Sequence, residues 1–162
     1  MGFYTRIIPP GIVLDETEIV KTYFIIDRID IQYVTVNDKE DINLLVTLNS
    51  YNSYEERLSR GDLSMSLEYT FQDFIDKDFS ENLWMKCYIK IKEEILNQNT
   101  EILKEALSMR ELEQNPPSHI ETVVADDAGV EIAVPLPVKF NITVDTIPTE
   151  YLYLLEIDDH FN

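Results

Sequence analysis

The feature that most constrains this chain is a change of period. Between Leu63 and Phe71, apolar residues at Leu63, Met65, Leu67, Tyr69 and Phe71 alternate with Ser64, Ser66, Glu68 and Thr70. Successive side chains of a strand point to opposite faces, so this run predicts a strand with one wet and one dry face. The spacing then lengthens. Ser80 is a suitable N-cap, and Trp84, Tyr88, Ile91 and Ile95 recur at helical intervals, which predicts a helix to about Asn97 with Trp84 and Tyr88 buried against the sheet. Asn99 and Thr100 read as a stop and a fresh cap, opening a second helix with Leu103, Ala106, Leu107 and Arg110 on one side and Pro116-Pro117 as its end.

The period of two governs both flanks of this helical stretch. Ile19 to Ile26 is apolar on both faces, and Ile29, Ile31 and Tyr33 alternate with Arg28, Asp30 and Gln32, with a bend near Asp27 between the runs. Asn37 to Asp41 is a polar turn, and Ile42, Leu44, Val46 and Leu48 follow as the second arm of a hairpin. Downstream, Ile120–Val124 and Val130–Val134 flank a turn containing Asp126, Asp127 and Gly129. Val138 to Val144 alternates again, and Tyr151 to Ile157 reads as a last apolar strand. The expected class is α+β: mainly antiparallel sheet, about seven or eight strands, with two central helices, at about 80–113, packed on it. Residues 1–18, broken by Pro9-Pro10-Gly11, read as an extended N-terminal arm that docks on a neighbouring subunit. Residues 19–157 read as a single domain, and 158–162 as an acidic C-terminal tail.

Charge excludes more than it assigns. With 31 Asp plus Glu against 13 Lys plus Arg, the net charge is −18, which opposes direct binding to nucleic acid or anionic membranes. The single cysteine, Cys87, rules out an internal disulfide and a thiolate zinc site, and reads as a small buried hydrophobe. The start of the chain has no signal-peptide core, no apolar run reaches bilayer length, and the expected place of synthesis is the cytoplasm.

Catalytic material is sparse. The histidines, His119 and His160, follow a proline pair and sit near the C-terminus, positions expected to face solvent. Acid pairs at Asp38/Glu40/Asp41, Asp126/Asp127 and Asp158/Asp159 lack calcium-loop spacing, and the glycines are too scattered for a phosphate cradle. Arg60-Gly61-Asp62 and Asn141-Ile142-Thr143 match adhesion and glycosylation tripeptides, and a turn and a strand explain them better. No cofactor, catalytic residue or metal site is expected.

What remains is surface chemistry. Tyrosines and apolar residues at Tyr51, Tyr54, Tyr151 and Tyr153, with Ile7, Ile8, Pro9 and Pro10 of the arm, are the expected partner-binding residues, because Tyr offers large contact area at low entropic cost. The expected function is non-enzymatic: a structural or assembly protein acting through contacts with other subunits, as a homo-oligomer or within a larger assembly. Two alternatives stand beside it: an acidic DNA mimic or regulatory inhibitor of a DNA-binding protein, and a carboxylate-dependent enzyme. In its Ile-, Asn-, Tyr- and Asp-rich vocabulary, its Pro-containing arm and its sheet leading into a helix between Phe71 and Ile95, the chain resembles the small virion proteins of tailed bacteriophages. That resemblance implies a head–tail connector, tail-terminus or baseplate component and incorporation into a virion.

Overall fold

A computed structural model describes residues 1–72, 82–114 and 146–161, together with the backbone of 121–125 and 131–135. Strands β1 (Gly2–Thr5), β2 (Thr22–Val36), β3 (Lys39–Tyr51), β4 (Met65–Gln72) and β7 (Asp158–His160) form one antiparallel sheet in the order β4-β3-β2-β1-β7. Strands β5 (Glu121–Ala125) and β6 (Glu131–Pro135) pair separately, as the hairpin pattern predicts. A short helix α1 (Tyr54–Leu58), a long helix α2 (Leu83–Gln114) and a 3-10 helix (Thr149–Leu155) complete the order. The class is α+β with an antiparallel sheet. The main sheet is smaller than the seven or eight strands expected, and the expected strand over 138–144 lies outside the described residues, as do Ser80, Pro116, Pro117, His119, Asp126, Asp127 and Asn141.

The hairpin of β2 and β3 is the frame. Its turn is tighter than the polar run suggests: Val36 pairs with Lys39, and Asn37 and Asp38 both take positive φ (51° and 61°), the backbone of a two-residue turn whose twist matches that of the strands. The bend expected at Asp27 is a register slip between Ile26 and Arg28, so the strand is kinked and not divided. Beyond the slip Ile29, Ile31 and Tyr33 stand opposite Val46, Leu44 and Ile42 on the inner face. That face carries the first core, built from Phe3, Phe24, Ile26, Leu44, Val46, Leu48 and Phe71 and covered by Cys87, Tyr88, Ile91 and Ile95 of α2.

Several sequence expectations change. The first residues are not an irregular arm: β1 is an interior strand, held between β2 and β7, with Phe3 and Thr5 buried. A run this short carries too few alternations to be seen in sequence. The expected C-terminal strand is instead the 3-10 helix, in which Tyr151 and Leu154 are buried and Leu152 and Tyr153 exposed. Residues three apart stack in a 3-10 turn, and a run that is apolar throughout hides that period. The acidic tail contributes β7, its Asp158 and Asp159 paired with Lys21 and Lys92.

The fourth change is the largest: the two expected helices are one. The stripe rolls around α2 at Asn99, facing the sheet through Cys87, Ile91 and Ile95, and then a second core through Leu103 and Leu107, which meet Ile8, Ile147, Tyr151 and Leu154. Asn99 is buried at the roll because its amide serves the passing backbone. Its Nδ2 donates to the Arg6 carbonyl at 2.7 Å and its Oδ1 accepts from the Ile8 N–H at 3.0 Å. Thr100 donates back to the Leu96 carbonyl within its own helix. Trp84, expected to be buried with Tyr88, is 45% exposed. Leu83 packs on the first core, so the dry stripe runs Leu83–Cys87–Ile91–Ile95 and leaves Trp84 beside it.

Candidate functional site

The eight residues expected to bind a partner fall into distinct places. Ile8 is fully buried in the second core, and its backbone is held by Asn99. Ile7 is half-buried beside the first core, while Pro9 and Pro10 are exposed. Tyr151 is buried, its hydroxyl donating to Asp15 Oδ2 at 3.0 Å and accepting from Arg110, while Arg110 also pairs with Asp15 at 3.0 Å. Burial raises the Tyr151 pKa, with the Asp15 carboxylate adding to the rise and Arg110 opposing it. Tyr153 remains exposed beneath the Arg6 guanidinium, which lies 5.1 Å from its ring centre and donates to the Tyr153 carbonyl at 2.9 Å.

Two clefts flank the segment around Thr17–Ile19. One, of about 350 Å³, lies against the 3-10 helix and includes Ile12, Leu14, Glu18, Tyr151 and Tyr153 in its walls. The other, of about 330 Å³, is more apolar and includes Ile7, Pro9, Val20 and Met65. The structure thus brings Tyr151 and Tyr153 together, and Ile7 with Pro9, at two separate clefts. The arm's own anchors explain the arrangement: Arg6, Asn99 and Asp15 bind residues 6–19 to α2 and the 3-10 helix of the same chain.

Tyr51 and Tyr54 belong to the outer face of the sheet. Tyr51 stands opposite Tyr23, and Tyr54, at the start of α1, joins an aromatic cluster with Tyr4, Tyr23 and His160. The closest pair is Tyr54 and His160, with ring centroids 4.5 Å apart, so His160 is packed among tyrosines where its position suggested solvent. Tyr23 passes so close to Gly2 that a Cβ there would lie 2.2 Å from its hydroxyl oxygen, which requires glycine at that position. Arg60-Gly61-Asp62 is the turn that follows α1 and its C-cap, Ser59. The Gly61 N–H reaches the Glu56 carbonyl at 2.8 Å, that of Arg60 reaches Arg57 at 3.2 Å, and Arg60 holds the left-handed conformation usually given to glycine.

Burial pushes the Cys87 thiol up to about 11, which leaves little thiolate near neutrality. Among the described residues no group of His, Cys, Asp and Glu is placed to hold a metal ion, and no helix is long and apolar enough to cross a membrane.

The surface that sequence reasoning missed is the far half of the β2–β3 hairpin. Tyr33 is 73% exposed and Ile31 41%, although they share a face with Ile42 and Leu44, which are 6% and 0% exposed. The helix and β1 cover the near half of the hairpin, and the dry face continues past them into the open. Val36, on the opposite face, is 55% exposed. One signal was available: Ile31 to Val36 contains no charge in a chain with 27% charged residues. No protein-family model matches the chain, and neither the curated proteins nor the solved structures give a match.

Proposed function

We propose that this chain is a non-enzymatic structural protein that works through contacts with other protein subunits. The observation that carries the reading is the bare inner face at Ile31 and Tyr33. Large apolar side chains left uncovered at the end of a hairpin are costly in water and are retained where another surface covers them. The setting proposed is the one its general character resembles, a connector, tail-terminus or baseplate part of a tailed-phage particle, made in the cytoplasm and incorporated into the virion. Pro9, Pro10 and Tyr153 are proposed as a second contact area beside the clefts, since they remain accessible.

Burial of Cys87 and the packing of His160 among tyrosines favour this reading over an enzyme. The DNA-mimic alternative needs a long uncompensated acidic stripe, and pairing of Asp158 and Asp159 with Lys21 and Lys92 interrupts one.

Native mass spectrometry of the full chain, recovered gently from the cells that produce it, tests the proposal. The expected result is a stoichiometric complex above monomer mass, weakened by Tyr33→Asp. A monomer, or a complex indifferent to that substitution, would overturn it.

A further inference from the structure

β1 pairs with β2 only over Thr22–Phe24, and the Ile26 N–H is then taken by the Tyr88 hydroxyl at 3.0 Å. From Arg28 to Val36, no strand among the described residues pairs with the outer edge of β2. Exposed edges are ordinarily protected by charge, proline or a bulge, because their unpaired N–H and C=O groups template a further strand. The only such devices on this one are the charges of Arg28 and Asp30 at its start: the kink lies before it at Asp27, and Ile31 to Val36 has neither charge nor proline.

We infer that this edge pairs with the same edge of a second copy of the chain, antiparallel and centred on Gln32. The inference rests on the assembly reading and names the partner. Three observations select a second copy. Gln32 is the midpoint of Arg28–Val36, so this register alone pairs the whole run with itself. It sets Ile31 opposite Tyr33 of the other copy, and Tyr33 opposite Ile31, giving two β-branched–aromatic pairs on the bare face. It also places Asp30 opposite Val34 and Arg28 opposite Val36, so no like charges meet, and Arg28 and Asp30 already neutralise each other at 2.8 Å. For a chain at −18, an edge whose two charges cancel is where two copies meet with least repulsion. The sheet would continue through the two-fold axis, and Ile31 and Tyr33 of both copies would form one apolar strip.

The test uses the full chain in light scattering and oxidative cross-linking. The parent is expected to dimerise. I31K/Y33K and I31E/Y33E should each weaken dimerisation by roughly 100-fold, and an equimolar mixture of the two should return to within about ten-fold of the parent, because position 31 of one copy faces position 33 of the other. Gln32→Cys, which alters only the residue on the axis, should cross-link at least about ten times faster than Thr35→Cys, since only position 32 faces itself. The buried Cys87 does not compete. A parent that stays monomeric, a mixture no stronger than its parts, or equal cross-linking at 32 and 35 would each overturn the inference. Any of these results leaves the assembly reading to the complex recovered from cells, where a different chain could occupy the edge.

Discussion

The near and far halves of the β2–β3 hairpin have the same alternation and opposite fates. In the near half, Phe24 and Ile26 are covered by α2, Phe24 is paired with β1, and Tyr23 is covered on the outer face by the aromatic cluster. In the far half Ile31 and Tyr33 point the same way as Leu44 and Ile42 and meet solvent. A period of two therefore specifies which face a side chain takes. Whether that face is dry depends on a third element, whose reach the strand itself does not encode.

The largest expected effect tests that contrast directly. Phe24→Ala removes a ring stacked 5.7 Å from Phe3 and should cost about 3–5 kcal/mol in urea unfolding, whereas Tyr33→Ala should stay within about 0.5 kcal/mol for the monomer. Equal losses would break the distinction between covered and bare halves. Next comes the anchor of the covering strand. Asn99→Ala strips partners from the Arg6 carbonyl and the Ile8 N–H, and should cost about 2–4 kcal/mol while accelerating amide exchange in β1 more than in the far hairpin.

Alkaline pH is a third probe of the covered half. Burial lifts the Cys87 thiol from 9.0 to about 11, and lifts Tyr69 from 10.0 to about 12 with help from Glu94. The folded chain holds these protons where the unfolded chain has released them. Stability should therefore be intact below pH 9 and fall progressively as the pH rises toward 11 and 12. Guanidinium midpoints measured from pH 8 to 11 check the sign. Tyr88→Phe should cost about 1–2 kcal/mol, since its hydroxyl accepts from Ile26 and donates to the Met1 carbonyl at 2.6 Å, closing the edge of β2 where β1 runs out. The smallest effect has the opposite sign. Arg60→Gly relieves a left-handed residue at the end of α1 and should stabilise by a few tenths of a kcal/mol up to about 1, read as a higher thermal midpoint.

The legible parts of the fold were those with enough repeats to define a period. The strand through Leu67, Tyr69 and Phe71, both arms of the β2–β3 hairpin and the stripe through Tyr88, Ile91 and Ile95 all follow from spacing. Asn99 misled because an amide looks the same in sequence whether it ends a helix or bonds to a backbone passing from far away. The partner-binding tyrosines were chosen by type, and type does not separate Tyr151, locked by Arg110 and Asp15, from Tyr153, which faces water. The uncovered Tyr33 was hidden by its regular alternation, which reads as an ordinary half-buried strand.

The pairing of β1 with β7 has a consequence in time. The β2–β3 and β3–β4 contacts close over short stretches of chain, whereas the Thr5 hydroxyl reaches the Glu156 carbonyl across a separation of 151 residues. Loop closure grows costlier with the length enclosed, so β2, β3 and β4, together with β1, which meets β2 across a short stretch of chain, assemble early, and β7 closes on β1 late. Until then the outer edge of β1 from Gly2 to Tyr4, later paired with His160 to Asp158, stays open. Refolding at high protein concentration therefore sets up a race between the chain's own β7 and a strand of another molecule for the edge of β1, and yield should decline with concentration more steeply than the native protein's solubility would indicate.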